Sequence, residues 1–404
     1  MSIDYQPEDP ATLADPYALF ARLRDEDPCH WSPRLKSWVI TRYDDVKSVT
    51  QDGKLSSNRL QPFFASMPSE EAKKIGDIIR YLSLWMVFKD PPEHTRLRRL
   101  TSRVLHVKSM QGMRPQIEGI AEWLLDGLRG QDEFDFIAEF AGPLPCLVIM
   151  AMLGVSHGDL ALMKRLSDDM ALFIGSSRVS AQKYDTAQAA THEMADYFRQ
   201  LIDVRRAVPG DDLLSQLVHL RNGDDRLSDD ELIATCILLL FAGHETTTNH
   251  IANGLLSLMQ FPAQVQKLRH DLSLTNAAVE ELLRHEGPSG AQVRVVQVEH
   301  ERHGKTLKQG DRLFMMLNAA NRDPRAYADP DVVDIERDGV SHLAFGYGAH
   351  ICLGFPLART EGQVAFPTVL KRYAHIEPVT STQRWLNSLV FRGMETLPVR
   401  VRPA

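Results

Sequence analysis

The sequence predicts a mainly α fold with small β-sheets. Apolar residues recur at the helical period from about residue 93 to residue 284, whereas two-residue alternation is confined to short stretches. One helical pattern, residues 228–260, runs for about 32 residues, and at 1.5 Å per residue it would span roughly 48 Å, enough to cross a whole domain.

Taken in order, the β-like stretches are residues 37–41, 292–298, 312–316 and 398–401. The long helix opens on Ser228-Asp229-Asp230-Glu231, an S-x-x-E capping box, and closes before Pro262. Such a helix has to run through the core. Midway it nonetheless carries Gly243, His244, Glu245 and a run of three threonines from Thr246, all poor or polar choices for a buried helix interior. A local rule broken inside an otherwise consistent element marks a place where function is expected. A last helical pattern covers residues 356–371. No linker, low-complexity tract or repeat interrupts the chain, so residues 1–404 read as one α-rich unit.

The 404 residues, 44% hydrophobic and 25% charged, have an ordinary globular composition. A net charge of -7 argues against nucleic-acid binding, which needs clustered positive charge. The N-terminus is acidic and polar where a secretory leader would be basic and then apolar. The longest apolar runs, 144–153 and 233–242, fall short of a membrane span, and a cytoplasmic, unanchored protein is expected. The four cysteines, Cys29, Cys146, Cys236 and Cys352, are far apart, with no C-x-x-C pair to suggest a zinc cluster or a disulfide framework.

Cys352 stands apart by its surroundings. It lies in Phe345-Gly346-Tyr347-Gly348-Ala349-His350-Ile351-Cys352-Leu353-Gly354, a glycine-rich loop directly before a helical pattern. Glycines let backbone approach a flat ligand, and a helix N-terminus aimed at a sulfur favours the thiolate. A lone cysteine in a turn is most often a buried structural residue. The whole string, however, resembles the haem-binding signature F-G-x-G-x-H-x-C-x-G of the cytochrome P-450 family at every fixed position. That resemblance implies haem b (iron protoporphyrin IX) with Cys352 as the axial ligand of the iron, and a long central helix lying over the haem.

Further segments extend the resemblance over nearly the whole chain. Glu281-Leu282-Leu283-Arg284 is similar to the family's E-x-x-R element, a structural pair. Val332 stands where the family often places an arginine that joins this pair, leaving its third member unidentified. His94, Arg98, Arg294 and His342 match the usual partners of the haem propionates, and His350, Phe345, Gly346, Ala242 and Gly243 are implied to border the cofactor. His94 and Arg98, four apart, share one helix face. Ala242-Gly243-His244-Glu245-Thr246 resembles the A-G-x-[DE]-T element. It implies that Glu245 and Thr246 are catalytic: activating O2 requires protons, Thr246 can bond back to the Ala242 carbonyl, and Glu245 can relay protons from solvent.

The resemblance also implies a monooxygenase fed by a ferredoxin and an NAD(P)H-dependent ferredoxin reductase, with a basic docking patch drawn from Arg96, Arg99, Arg103, Lys108, Arg114 and Arg359. The substrate is expected to be a small to medium apolar molecule in a pocket made by Trp85, Val87, Phe173, Leu238, Phe241, Val293, Val390 and Phe391, with Arg178 as a candidate carboxylate anchor. Two other readings are a peroxygenase using H2O2 and a non-catalytic haem sensor. Both leave the acid-alcohol pair without a use.

Overall fold

Ser228 starts the longest helix as expected. Its hydroxyl accepts from the Glu231 amide at 3.2 Å while the Glu231 carboxylate accepts from the Ser228 amide at 2.9 Å, and the helix continues from Asp229–Gln260 until Pro262 opens the next one. The computed structural model describes residues 3–174, 181–221, 223, 225–339 and 341–404, with backbone only at 181 and 182. Arg178 lies outside the described residues. No helix among them is long and apolar enough to cross a membrane.

This central helix is buried on most sides because other helices pack around it, chiefly Pro143–Leu153, Leu160–Ile174, Ala181–Ala207, Thr275–His285 and Phe355–Arg372. The helix after the cysteine loop, Phe355–Arg372, takes Pro356 in its first turn, where the missing N–H would have had no partner anyway.

A five-stranded sheet lies to one side, in the order Cys29–Ser32, Ser37–Ile40, Arg312–Met316, Ala291–Val296, Leu55–Ser56, with one parallel pairing between the second and third. Glu133–Asp135, Pro398–Pro403 and Tyr373–Pro378 form a smaller sheet. The stretches at 37–41, 292–298, 312–316 and 398–401 all contain strands, but edge strands such as Cys29–Ser32 and Leu55–Ser56 are too short to leave a period in the sequence.

The E-x-x-R pair forms with both ends of each group engaged. Arg284 Nε and Nη2 donate to the Glu281 carboxylate at 2.7 and 2.8 Å, and its remaining donors reach the carbonyls of Asn321, Pro330 and Val332 at 3.0, 2.7 and 3.0 Å. The third member is Arg337, five positions beyond Val332, whose Nε donates to Glu281 at 3.1 Å. Val332 contributes only its carbonyl, and its side chain is exposed. The member that the sequence left unidentified is thereby supplied, because the meander brings Arg337 back to the pair. Glu281, 4% exposed, is shared by the Arg284 and Arg337 guanidiniums. Glu281→Ala should therefore cost about 3–5 kcal/mol, the usual penalty for stranding a buried charge. A denaturant midpoint within experimental error of the parent would show that the meander is held by other contacts.

Candidate active site

Halfway along the central helix, Ala242 is exposed although its neighbours Phe241 and His244 are buried. It opens onto a cavity whose other wall is the cysteine loop. Ala242, Gly243, Thr246, Phe345, His350 and Cys352 all line it, as do His94 and Arg98.

The loop is shaped by what its glycines allow. Gly346 adopts φ +71°, which disfavours any side chain, and a Cβ there would come within 2.7 Å of the Gln292 amide nitrogen and require that side chain to shift. The Cys352 amide donates to the Phe345 carbonyl at 2.9 Å and closes the loop on itself. Cys352 is open to the cavity yet deep in the protein. Burial raises its thiol pKa, while the Gly354 amide, the Arg98 and Arg359 guanidiniums and the Phe355 amide pull it down. None of these opposing groups acts on Cys29, Cys146 or Cys236; all three are buried in the core, where burial raises their thiols. Gly243 is less demanding than its place suggested, since a Cβ there would meet Ile149 at an ordinary 3.4 Å.

Positive charge gathers along one edge of the cavity. His94 and Arg98 project from the helix Glu93–Val104, and the His94 ring lies 3.9 Å, centroid to centroid, from His350. Strand alternation puts Arg294 on the same face as Gln292, which lines the cavity, and Val293 on the other. Burial, then His94 and Arg294, hold His350 down at about 3; burial and Arg98 lower His94. Arg294 is pushed down to about 10 by burial, and so is Arg59, a residue no motif indicated, by burial and by Arg294. The acid among them is Asp90, already held by the Ser56 hydroxyl and, at 2.8 Å, the Ser57 amide. His94 Nε2 is buried with no partner. Basic groups in surplus around a cavity, with a cysteine sulfur opening into it, fit a flat group that carries two carboxylates and a thiophilic metal, as haem does.

His342 departs from expectation. It does not line the cavity; its Nε2 lies 3.2 Å from Glu280, which also pairs with Arg359 at 2.6 Å. Burial would raise the Glu280 carboxyl, but His342 and Arg359 together bring it down to about 2. Arg359 in turn lies over the Phe345 ring at 4.9 Å, so this cluster braces the loop from behind.

Thr246 donates to the Ala242 carbonyl at 2.7 Å. Glu245, one residue earlier, faces a second cavity lined by Lys164, Asp168, His244 and Asn249. Burial, aided by Asp168, raises its carboxyl to about 7. His244 is kept near 3 by burial, and its Nδ1 lies 3.2 Å from the Ser167 hydroxyl.

Of the expected pocket residues, Val87 and Leu238 line the main cavity. Trp85, Phe241 and Phe391 do not; they form an aromatic column with centroids 5.8 and 5.9 Å apart, and Phe391 borders the second cavity instead. Phe173 packs against Phe63, Phe64 and Tyr184, while Val390 joins the surrounding core. Val293 is a correction: it faces away from the cavity and packs with Ile3, Tyr5 and Phe20. Lining residues that sequence reasoning missed include Ile149 and Met152, from the helix Pro143–Leu153. Most of the expected basic patch is already paired: Arg96 with Asp225 and Glu231, Arg99 with Asp225, Arg114 with Glu118 and Arg359 with Glu280.

Residues 29–393 match the profile of the cytochrome P-450 family. Cytochrome P-450 107B1 of Saccharopolyspora erythraea is 38% identical over 97% of this chain and 96% of its own. The cytochrome P-450 monooxygenase PikC of Streptomyces venezuelae is 36% identical over 96% and 92%. Among solved structures, P450BioI in complex with hexadec-9Z-enoic acid ligated acyl carrier protein superposes with a TM-score of 0.90 at 33% identity, covering 97% of this chain and 99% of that one.

The raised Glu245 carboxyl gives a stability test. Its folded pKa of about 7 exceeds the ordinary 4.5, so the folded state keeps a proton that the unfolded state releases. The group costs nothing below pH 4.5, and its penalty grows to up to roughly 3 kcal/mol as pH rises through 7. Glu245→Gln escapes this penalty, so its stability relative to the parent should rise between pH 5 and pH 8 in urea titrations. Parallel pH profiles would place Glu245 in water.

Proposed function

The chain belongs to the cytochrome P-450 family, and from that premise we propose that residues 1–404 form one haem domain in which Cys352 ligates haem b and one oxygen atom of O2 is inserted into a small to medium apolar substrate. The two electrons come from a separate ferredoxin reduced by an NAD(P)H-dependent reductase, in the cytoplasm. The observation that carries this reading is the division of the central helix: Thr246 faces the cavity that holds Cys352, and Glu245 faces a polar cavity reaching the exposed Asp168.

Haem, when bound, supplies the reduction and splitting of O2. The protein's part is to hold it and to deliver protons. His94, Arg98, Arg294 and His350 would pair with its two carboxylates, with Arg59 adding positive charge nearby; Phe345, Gly346, Ala242 and Gly243 would border its faces. Thr246, having donated its hydrogen to Ala242, is left with an oxygen that accepts, and so can hold a water in the cavity. Glu245, with a carboxyl near neutrality, is matched to passing protons from the Asp168 side to that water. Val87, Ile149, Met152 and Leu238 keep the rest of the cavity apolar, favouring a hydrophobic substrate and excluding other water. An apolar chain fits the same lining, in keeping with the fatty acyl group carried in the P450BioI complex.

Cys352→Ser should abolish the thiolate-type Soret band of the reduced, carbon-monoxide-bound protein, whereas replacing Cys29, Cys146 or Cys236 should leave it, since a serine oxygen donates far less electron density. Persistence of the band in Cys352→Ser overturns the ligand assignment.

Thr246→Ala should still bind substrate and consume NAD(P)H but divert it to hydrogen peroxide. The variant loses the hydroxyl oxygen that holds the proton-carrying water, and losing positioned proton transfer typically slows the step it serves by ~10²- to 10⁴-fold. Product and peroxide per NAD(P)H, measured with a surrogate ferredoxin system, decide the matter, and unchanged coupling would reduce Thr246 to a helix feature.

A further inference from the structure

The second cavity holds more than a proton relay requires. A ring nitrogen of His244 and carboxylate oxygens of Asp168 and Glu245 all lie within 4.8 Å of one another. His244 is 2% exposed, and its Nε2 is buried with no hydrogen-bond partner. Its other nitrogen, Nδ1, lies 3.2 Å from the Ser167 hydroxyl, and with the ring proton on Nδ1 and donated to that hydroxyl the Nε2 lone pair is free to bind an ion. A buried imidazole nitrogen without a partner is costly to leave so, and this one belongs to a ring with a nitrogen within 4.8 Å of two carboxylates.

We propose that Asp168, His244 and Glu245 form a site for a divalent transition-metal cation of the zinc class. One imidazole with two carboxylates, completed by water, is a donor set that zinc accepts, whereas calcium and magnesium call for oxygen donors throughout. Asp168 is exposed and gives the ion its way in. The competitors are Asn249, whose amide donates to Glu245 at a long 3.5 Å, and Lys164, 3.5 Å from Asp168, where both side chains are well exposed, at 37% and 51%, and such a pair is readily displaced. The consequence rests on the function proposed above: an ion held by Glu245 takes that carboxyl out of the proton route to Thr246, so zinc would act as an inhibitor that never enters the substrate cavity.

The test separates binding from turnover. Haem-loaded protein is dialysed against zinc chloride in competition with a chromophoric chelator, with no redox partner or substrate present. A single zinc ion should bind to the parent. Asp168→Asn and His244→Ala should each weaken it at least tenfold, and Ser167→Ala, which leaves every ligand in place, by about 10- to 100-fold. Lys164→Met should strengthen it. Asp168 is on the surface, so its variant remains informative even where His244→Ala fails to fold. Absence of binding, or equal zinc affinity in the parent, Asp168→Asn and Ser167→Ala, overturns the site. Product and peroxide per NAD(P)H are then measured with zinc present. Loss of coupling supports the inhibition; unchanged coupling at saturating zinc overturns it while leaving the site in place.

Discussion

The structure depends on one constraint: a helix buried along most of its length cannot carry polar side chains unless each finds a partner or a task. Outside its middle, the central helix meets most of that demand from its own backbone and from neighbouring elements, with Asn253 Oδ1 left unpartnered. Thr235 donates to the Glu231 carbonyl at 2.6 Å, Asn253 to the carbonyls of Glu286 and Arg392 at 3.2 and 2.8 Å, and Ser257 lies 3.2 Å from His285 Nδ1. The middle does not. His244 Nε2, Thr248 Oγ1 and both ring nitrogens of His250 are buried and unpartnered. These sit within two turns of Ala242 and Thr246, where the helix passes the cysteine cavity, so the unmet polar demand and the chemistry occupy the same stretch.

The cavity itself follows the same logic with charge. His94, Arg98, Arg294 and His350 crowd together with Asp90 as their acid, and burial lowers the pKa of each, as expected of cations held without enough counter-charge. The opposite imbalance occurs nearby. Glu361, also lining the cavity, is buried with Oε2 unpartnered, and burial raises its carboxyl well above the ordinary range. Groups that would stabilise each other if close are kept apart on different elements, which costs stability and marks the cavity as built for something other than packing.

What was legible in the sequence was what neighbouring residues decide among themselves. The capping box, the A-G-x-E-T stretch and the cysteine loop each lie within about ten consecutive residues, so their local geometry is nearly implied by their order. Placement across elements was not. Arg337 reaches Glu281 because the meander folds back, and nothing near Val332 announces it. Val293 was misplaced by one strand position, and a one-residue shift exchanges the faces of a sheet: Gln292 lines the cavity and Val293 the core behind it. His342 sits in the same segment as Phe345 and Cys352, but Glu280 on a different helix claims it. Aromatic residues misled for a further reason, since the Trp85, Phe241 and Phe391 rings pack against one another, the first pair stacked and the second edge to face, and not against the cavity.

Helix geometry then explains why two neighbouring residues serve two compartments. Successive side chains turn by about 100° around a helix, so Glu245 and Thr246 cannot face the same space. Thr246 joins the basic, largely apolar cavity and Glu245 the acidic one beyond. A proton moving between them has to cross the helix, and the Thr246 hydroxyl bond to the Ala242 carbonyl ties up an acceptor on that path. The carboxyl is thereby kept from the guanidiniums around Cys352: burial and Asp168 raise Glu245, and Asn249 and Lys164 offset them only in part. Separation by a single helical step thus lets one chain keep a carboxyl that holds its proton near neutrality close to a cavity with basic residues along one edge.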